Sequence, residues 1–253
     1  NHQMGGVNMA DIFITGGART AIGSFQGAFS TLSAPELGGH AIQAALVQSG
    51  IDATAIDDVI MGCVLPAGLG QAPARQAGFH AGLSNAIPAT TVNKMCGSGM
   101  KAVMLGYDQL ASGDVSSVIA GGMESMTNAP YLSGGLRGGS RLGHQTLTDH
   151  MFLDGLEDAY DKGVLMGCFA EDCAEHYQFS RADQDDYALS SLSRALAAQK
   201  AGRFEAEITP ITIEGRKQTL TISKDEQPVT ARPEKIPQLK PAFREGGTVT
   251  APN

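Results

Sequence analysis

One cysteine stands where a strand-like run gives way to a helix-like run, in Asn93-Lys94-Met95-Cys96-Gly97-Ser98-Gly99-Met100-Lys101-Ala102. Residues 88–93 have the β-branched content of a short strand, and residues 100–110 carry apolar side chains at helical spacing. Free backbone N–H groups and the positive end of a helix dipole stabilise a thiolate, lowering a thiol's pKa from about 8.5 toward neutrality. Cys96 is therefore a candidate nucleophile, with Gly97 and Gly99 leaving the approach to its sulfur open. The competing reading is a small core residue, since a free cysteine also packs well inside a protein.

The other titratable side chains offer less. Cys63 follows the apolar run Val59-Ile60-Met61-Gly62 and reads as a buried residue at a strand end. Cys168, Cys173 and His176 lie close together, but no paired Cys-x-x-Cys completes a tetrahedral zinc site, so no metal is expected. Four cysteines in 253 residues do not form a disulfide framework, and all four are expected as free thiols. Among the histidines, His40 and His80 fall within helical patterns, His144 and His150 flank a Gly-rich stretch, and His176 falls on a surface face. Neither Gly-x-x-x-x-Gly-Lys-Ser/Thr nor a strand-Gly-x-Gly-x-x-Gly-helix unit occurs, which sets aside nucleotide binding.

The elements that must hold Cys96 follow from hydrophobic period and punctuation. Strands are expected at 10–15, 58–64, 88–93 and 115–120, with helices at 35–48, 71–82 and 100–110 between them. Strands alternating with helices imply an α/β fold, a mixed, largely parallel sheet covered by helices on both faces. After Gly121-Gly122-Met123-Glu124-Ser125-Met126 the rhythm breaks, and residues 133–143 hold little that could build a core. Ser180-Arg181-Ala182-Asp183 has the form of a capping box with Asp in place of Glu, opening an amphipathic helix that runs toward Gly202. Short strands are expected at 208–213 and 219–222, and 248–250 reads as a strand returning to the first sheet. Residues 1–8 have the character of a vector-derived leader before Met9.

Composition narrows the function classes. A net charge of −8 argues against general nucleic-acid binding. No apolar run approaches the roughly 20 residues that span a bilayer, and the N-terminus lacks the order of a secretory signal, so the chain reads as cytosolic. Half of the Lys and Arg residues follow Gln199, which offers either a basic surface for a phosphate-bearing partner or a solvated loop with interspersed acids.

Several segments together resemble the thiolase family in order and spacing. They are Gly16-Gly17-Ala18-Arg19-Thr20-Ala21-Ile22-Gly23-Ser24-Phe25, the Cys96 segment, Ala120-Gly121-Gly122-Met123-Glu124-Ser125-Met126-Thr127, Leu165-Met166-Gly167, Ser180 to Asp185, Gly202-Arg203-Phe204 and Gly247-Thr248-Val249-Thr250-Ala251. The resemblance implies a layered thiolase fold of two similar halves, of which this chain would hold the first half, residues 9–125, and a loop domain, residues 126–245. Residues 246–253 would return to the first half. It also implies acyl transfer between CoA thioesters through a Cys96 acyl-enzyme, with coenzyme A and acetyl-CoA as substrates and no tightly bound cofactor. By the same resemblance Leu165 and Met166 would line the pantetheine and acyl pocket, and Arg216, Lys217 and Lys224 would face the CoA phosphates. Many short-chain thiolases have histidine at the position of Leu165, which points to a somewhat longer acyl chain. Residues 131–150 would support a homodimer or homotetramer.

The family's second cysteine, its Gly-His-Pro histidine and an asparagine belong to its C-terminal half, and the chain ends at Ala251-Pro252-Asn253 before any of them. The expectation is therefore an N-terminal part that acylates slowly and condenses poorly alone. Two rivals remain: a decarboxylating ketoacyl carrier-protein synthase, which lacks the long loop domain, and a non-catalytic CoA-binding or oligomerisation module.

Overall fold

Strand β1, Asp58–Gly62, is buried along its whole length, as expected of the central strand of a parallel sheet. The computed structural model describes residues 11–215 and 218–252. On one side β1 pairs in parallel with β2, Ala89–Val92, from Val59↔Ala89 to Gly62↔Val92. On the other it pairs in parallel with β3, Val118–Gly122, from Asp58↔Val118 to Gly62↔Gly122. All three strands therefore end at one edge of the sheet.

Alternation along β1 splits its side chains between the two faces. Val59 and Met61, with Cys63 beyond the strand, join a core that includes Ala34 and Ile42 of helix α1, Ala34–Ser49, and Ala74 and Ala77 of helix α2, Pro73–His80. On the opposite face Gly62 meets Ser98 and Gly99 at the start of helix α3, Ser98–Ser112. Helices thus cover both faces, and the α/β reading holds.

Local chemistry sets the helix ends. The Ser33 hydroxyl accepts the Glu36 N–H, and the Glu36 carboxylate accepts the Ser33 N–H at 2.7 Å, forming a capping box at the start of α1. These Ser33 contacts hold the Glu36 carboxyl below its ordinary value. The helix stops at Gly50, with φ of 66°. Contact with α2 is close: a Cβ on Gly39 would lie 2.4 Å from the His80 Cβ.

Described residues 11–20 and 32–125 form one compact unit, and residues 21–31 and 126–252 form a second. In the second unit, strands β4, Tyr131–Leu132, and β5, Thr148–Asp149, pair antiparallel and close the Gly-rich stretch into a loop. Helix α4, Met166–His176, precedes helix α5, Arg181–Lys200. The Ser180/Asp183 box at the start of α5 forms as its sequence suggests. Strands β6, Ile211–Glu214, and β7, Thr219–Ile222, make an antiparallel hairpin. Residues 21–31 are tied down at the start of helix α6, Glu226–Thr230. The Asp225 Oδ1 accepts the Ile22 N–H at 2.7 Å, and the Glu226 Oε2 accepts the N–H groups of Ser24 and Ala28 at 2.6 and 3.1 Å.

Four expected strands change, one of them 208–213, which begins three residues late as Ile211–Glu214. Residues 11–15 form none: the alternating pattern is present, but no ladder partner is supplied and Phe13 and Ile14 stay exposed. The strand expected at 115–120 begins three residues later, because the Asp57 Oδ2 accepts the N–H groups of Ser116 and Ser117 at 2.7 and 3.1 Å and bends them into a turn. Residues 248–250 also form no strand. There the Glu171 Oε1, on α4, accepts the N–H groups of Thr248 and Val249 at 2.9 and 2.8 Å, while the Ala242 N–H donates to the Val249 carbonyl. A carboxylate and a loop amide replace the ladder.

Glu171 is only 4% exposed, and burial by itself would raise its carboxyl pKa. The hydrogen bonds from Thr248 and Val249, with the Arg244 charge, outweigh that and bring it below the ordinary 4.5. A depressed carboxyl contributes stability above its unfolded value and loses it as pH falls through its folded value. Glu171→Ala should cost roughly 2 kcal/mol at pH 7, because one buried and one part-buried amide lose their acceptor. The difference in thermal midpoint between wild type and Glu171→Ala should narrow as pH is lowered below about 4; an unchanged difference at pH 3 would contradict this account.

Candidate active site

The sheet edge where β1, β2 and β3 end is built for close approach. A Cβ on Gly62 would lie 2.6 Å from the Ser98 Cβ and 2.7 Å from the Gly99 nitrogen. A Cβ on Gly122 would lie 3.1 Å from the Gly99 Cα. The first turn of α3 therefore rests directly on strand backbone, and β2 feeds into it through residues 93–97.

Those five residues form a pinned turn. The Asn93 Oδ1 accepts the Met95 N–H at 2.9 Å. The Ser98 Oγ accepts the Lys94 N–H at 2.9 Å and donates to the Met95 carbonyl at 2.5 Å. The same carbonyl accepts the Ser98 N–H at 2.9 Å, and the Gly97 N–H donates to the Lys94 carbonyl at 3.2 Å. Held in this way, Met95 adopts φ of 49°, a left-handed conformation that costs a non-glycine residue roughly 1–2 kcal/mol. Cys96 follows it and is exposed. Gly97 is the N-cap of α3, so Cys96 stands just outside the helix, one residue before the cap. The sequence placed it at the strand-to-helix junction with a helix from residue 100; the helix in fact begins at Ser98, closer to the thiol.

Cys63 behaves as its place at the end of a strand suggests. It is buried, and its thiol lies 3.5 Å from the Glu124 Oε1. Burial first, then the Glu124 charge, push the Cys63 thiol up to about 12. Glu124 also accepts the N–H groups of Val64 and Leu65 at 2.7 and 3.1 Å, which fixes the chain leaving β1. The two thiols of the first unit thus differ sharply: Cys96 is open to solvent, and Cys63 is buried and held as a thiol.

The remaining residues named from sequence lie in the second unit. Leu165 is the half-buried N-cap of α4, and Met166 is its exposed first residue. Lys224 is exposed just after β7. Arg216 and Lys217 lie outside the described residues. Of the basic residues after Gln199, Arg244 is paired with Asp172 and with Glu175. His150 is buried, with Nδ1 2.6 Å from the Asp154 Oδ2, a local pair that its sequence position did not reveal. Among the described residues, no group of three or more His, Cys, Asp or Glu side chains could hold a metal ion. No helix among them is long and apolar enough to cross a membrane. An open cavity of about 330 Å3 lies between the sheet and α3, lined by Ile60, Thr90, Leu105 and Gln109 among others, and does not include Cys96.

The family described as thiolase, N-terminal domain, matches residues 12–253. The chain belongs to the thiolase family. An acetyl-CoA acetyltransferase of Pseudomonas aeruginosa is 48% identical over 247 residues, covering 97% of this chain and 63% of that protein. Acetyl-CoA acetyltransferase 2 of Arabidopsis thaliana is 48% identical over 256 residues, covering 100% of this chain and 63% of its own length. An acetyl-CoA acetyltransferase of Saccharomyces cerevisiae is 46% identical over 248 residues, covering 96% and 62%. The chain thus spans just over three-fifths of the curated thiolases it matches.

Two outcomes follow for this thiolase domain. Brief iodoacetamide treatment of the folded protein at pH 8 should label Cys96 and the exposed Cys173 and leave Cys63 unmodified until denaturant is added, as read by peptide mass mapping. Native labelling of Cys63 would contradict its burial. Gly62→Ala should destabilise the fold by about 2 kcal/mol, since the added methyl meets the Ser98 backbone rather than a flexible side chain. A denaturation midpoint equal to wild type would rule out the close approach.

Proposed function

We propose that this chain carries the nucleophile of an acyltransferase acting on CoA thioesters, and that Cys96 is the acylated residue. The observation that carries the proposal is an exposed thiol on a pinned turn at the start of α3. It stands in a family whose matching members include proteins named acetyl-CoA acetyltransferase. The Cys96 thiolate attacks the carbonyl of acetyl-CoA, the bond to the CoA sulfur breaks, and the released CoA thiolate takes up a proton. In the thiolytic direction it attacks the 3-keto carbon of a 3-ketoacyl-CoA; the bond to the α-carbon breaks, and the acetyl-CoA enolate is protonated at carbon. Exchange between thioesters is nearly isoenergetic, which suits a thiol that must act both as nucleophile and as leaving group.

The backbone N–H of Cys96 would supply part of an oxyanion hole. Leu165 and Met166 would contact pantetheine and the acyl chain, with Leu165 favouring chains longer than acetoacetyl. Lys224, with Arg216 and Lys217, would meet the CoA phosphates. The α-proton transfers of condensation fall to the second half that thiolases possess. The exposed row of Met100, Val103, Met104 and Tyr107 along α3, Met100 at 74% exposure, is apolar surface of the kind such a half would cover. Assembly would be a homodimer or homotetramer using residues 131–150, in the cytosol, with acyl-CoA as the partner and neither nucleic acid nor membrane involved.

Incubation with acetoacetyl-CoA followed by intact-mass measurement and peptide mapping should show one acetyl group on Cys96. Cys96→Ser should show none while keeping the wild-type melting curve. An unacylated wild type, or an acetyl group mapped to another residue, would overturn the assignment.

A further inference from the structure

Ser98 is a buried hydroxyl that the acyl-transfer steps do not use. It is 4% exposed, and its side chain sits beneath Gly62, where a Cβ on that glycine would lie 2.6 Å from the Ser98 Cβ. A serine at the N-cap commonly accepts from the amides of its own helix, but here Gly97 is the N-cap and Ser98 lies one position inside. This one faces backward: its Oγ accepts from Lys94 and donates to Met95, both on the N-terminal side of the nucleophile.

Met95 is the residue that needs holding. Its φ of 49° is disfavoured for a side chain of its size, and the residue remains 45% exposed. The two peptide groups that flank it are fixed from opposite sides, the N–H by the Asn93 carboxamide and the carbonyl by the Ser98 hydroxyl and amide. Rotation of Met95 out of the left-handed region would break the Oγ contact and swing the next peptide unit, which carries the Cys96 nitrogen and Cα. We propose that Ser98 is a positioning residue for Cys96: its hydroxyl holds Met95 in the left-handed conformation and so fixes where the thiol points. The proposal rests on Cys96 being the reactive thiol and adds the residue that aims it.

Glycine adopts the left-handed region freely, so the arrangement makes a rescue prediction that a merely structural serine would not. Ser98→Ala should lower the maximal rate of Cys96 acetylation by acetoacetyl-CoA about tenfold, with little change in the half-saturating concentration. The double variant Ser98→Ala with Met95→Gly should recover to within about threefold of wild type. Met95→Val, a change at the surface that leaves the hydroxyl in place, should slow acetylation as Ser98→Ala does, because a β-branched residue resists positive φ. This variant serves if Ser98→Ala fails to fold. Wild-type rates in Ser98→Ala and Met95→Val, or a double variant no faster than Ser98→Ala, would overturn the proposal.

If wild type takes up no acetyl group, the acyl-transfer reading fails by itself, and positioning is then judged on the iodoacetamide rate of Cys96. A rate shifted at least threefold by Ser98→Ala and returned by Met95→Gly supports the role of Ser98. Equal rates in all three proteins reject it.

Discussion

Backbone-to-backbone approach between the first turn of α3 and the ends of β1 and β3 is the constraint on which the first unit depends. Gly62 meets the backbone of Ser98 and Gly99 and the Ser98 Cβ, Gly122 meets Gly99, and Ser98 is buried at that contact. A helix seated so closely cannot shift without a clash, because protein interiors are packed like organic crystals. Rigidity at this junction passes to residues 93–97, whose conformation is written almost wholly in hydrogen bonds to Asn93 and Ser98. The exposed thiol is thus held by a turn whose strain the surrounding contacts over-determine, the condition under which strained backbone persists at functional sites.

Carboxylates organise the rest. Loop amides outside helices and ladders need acceptors, and here acidic side chains supply them, from the exposed Asp57 turn to the buried Glu171 contact. Glu124 takes the amides of Val64 and Leu65, Asp57 those of Ser116 and Ser117, Glu171 those of Thr248 and Val249, and Asp225 with Glu226 those of Ile22, Ser24 and Ala28. Part of the acidic excess of the chain is therefore structural, spent on loop geometry rather than on surface field.

Much of this was legible in the sequence where a local signal sufficed. The helix expected at 35–48 is Ala34–Ser49, the strand at 219–222 is Thr219–Ile222, and the Ser180 box caps α5. Cys63 sits buried at a strand end, and Cys96 lies at the junction that its neighbours marked. Failure came where an alternating pattern had to find a partner. Residues 11–15 and 248–250 alternate like strands, but alternation fixes which side chains share a face and not what accepts the amides; at 248–249 Glu171 does so from 77 and 78 residues away. Ser98 was equally hidden. The sequence showed it only as part of the Cys96 segment, and it is the hydrogen bonds to Lys94 and Met95 that show its hydroxyl pointing back along the chain.

The tie between residues 21–31 and the start of α6 spans 203 residues at Ile22 and Asp225, and 202 at Ser24 and Glu226. Closing so long a loop adds little entropy beyond closing a shorter one, so its thermodynamic cost is modest. Its temporal cost is larger. On a ribosome the 21–31 segment emerges well before its acceptors, with the rest of the first unit made in between, and at 5–20 residues per second the delay is tens of seconds. Throughout that interval Phe29, which is buried in the finished fold, has no completed unit to enter. Vectorial synthesis therefore leaves residues 21–31 waiting for acceptors that are made about 200 residues later.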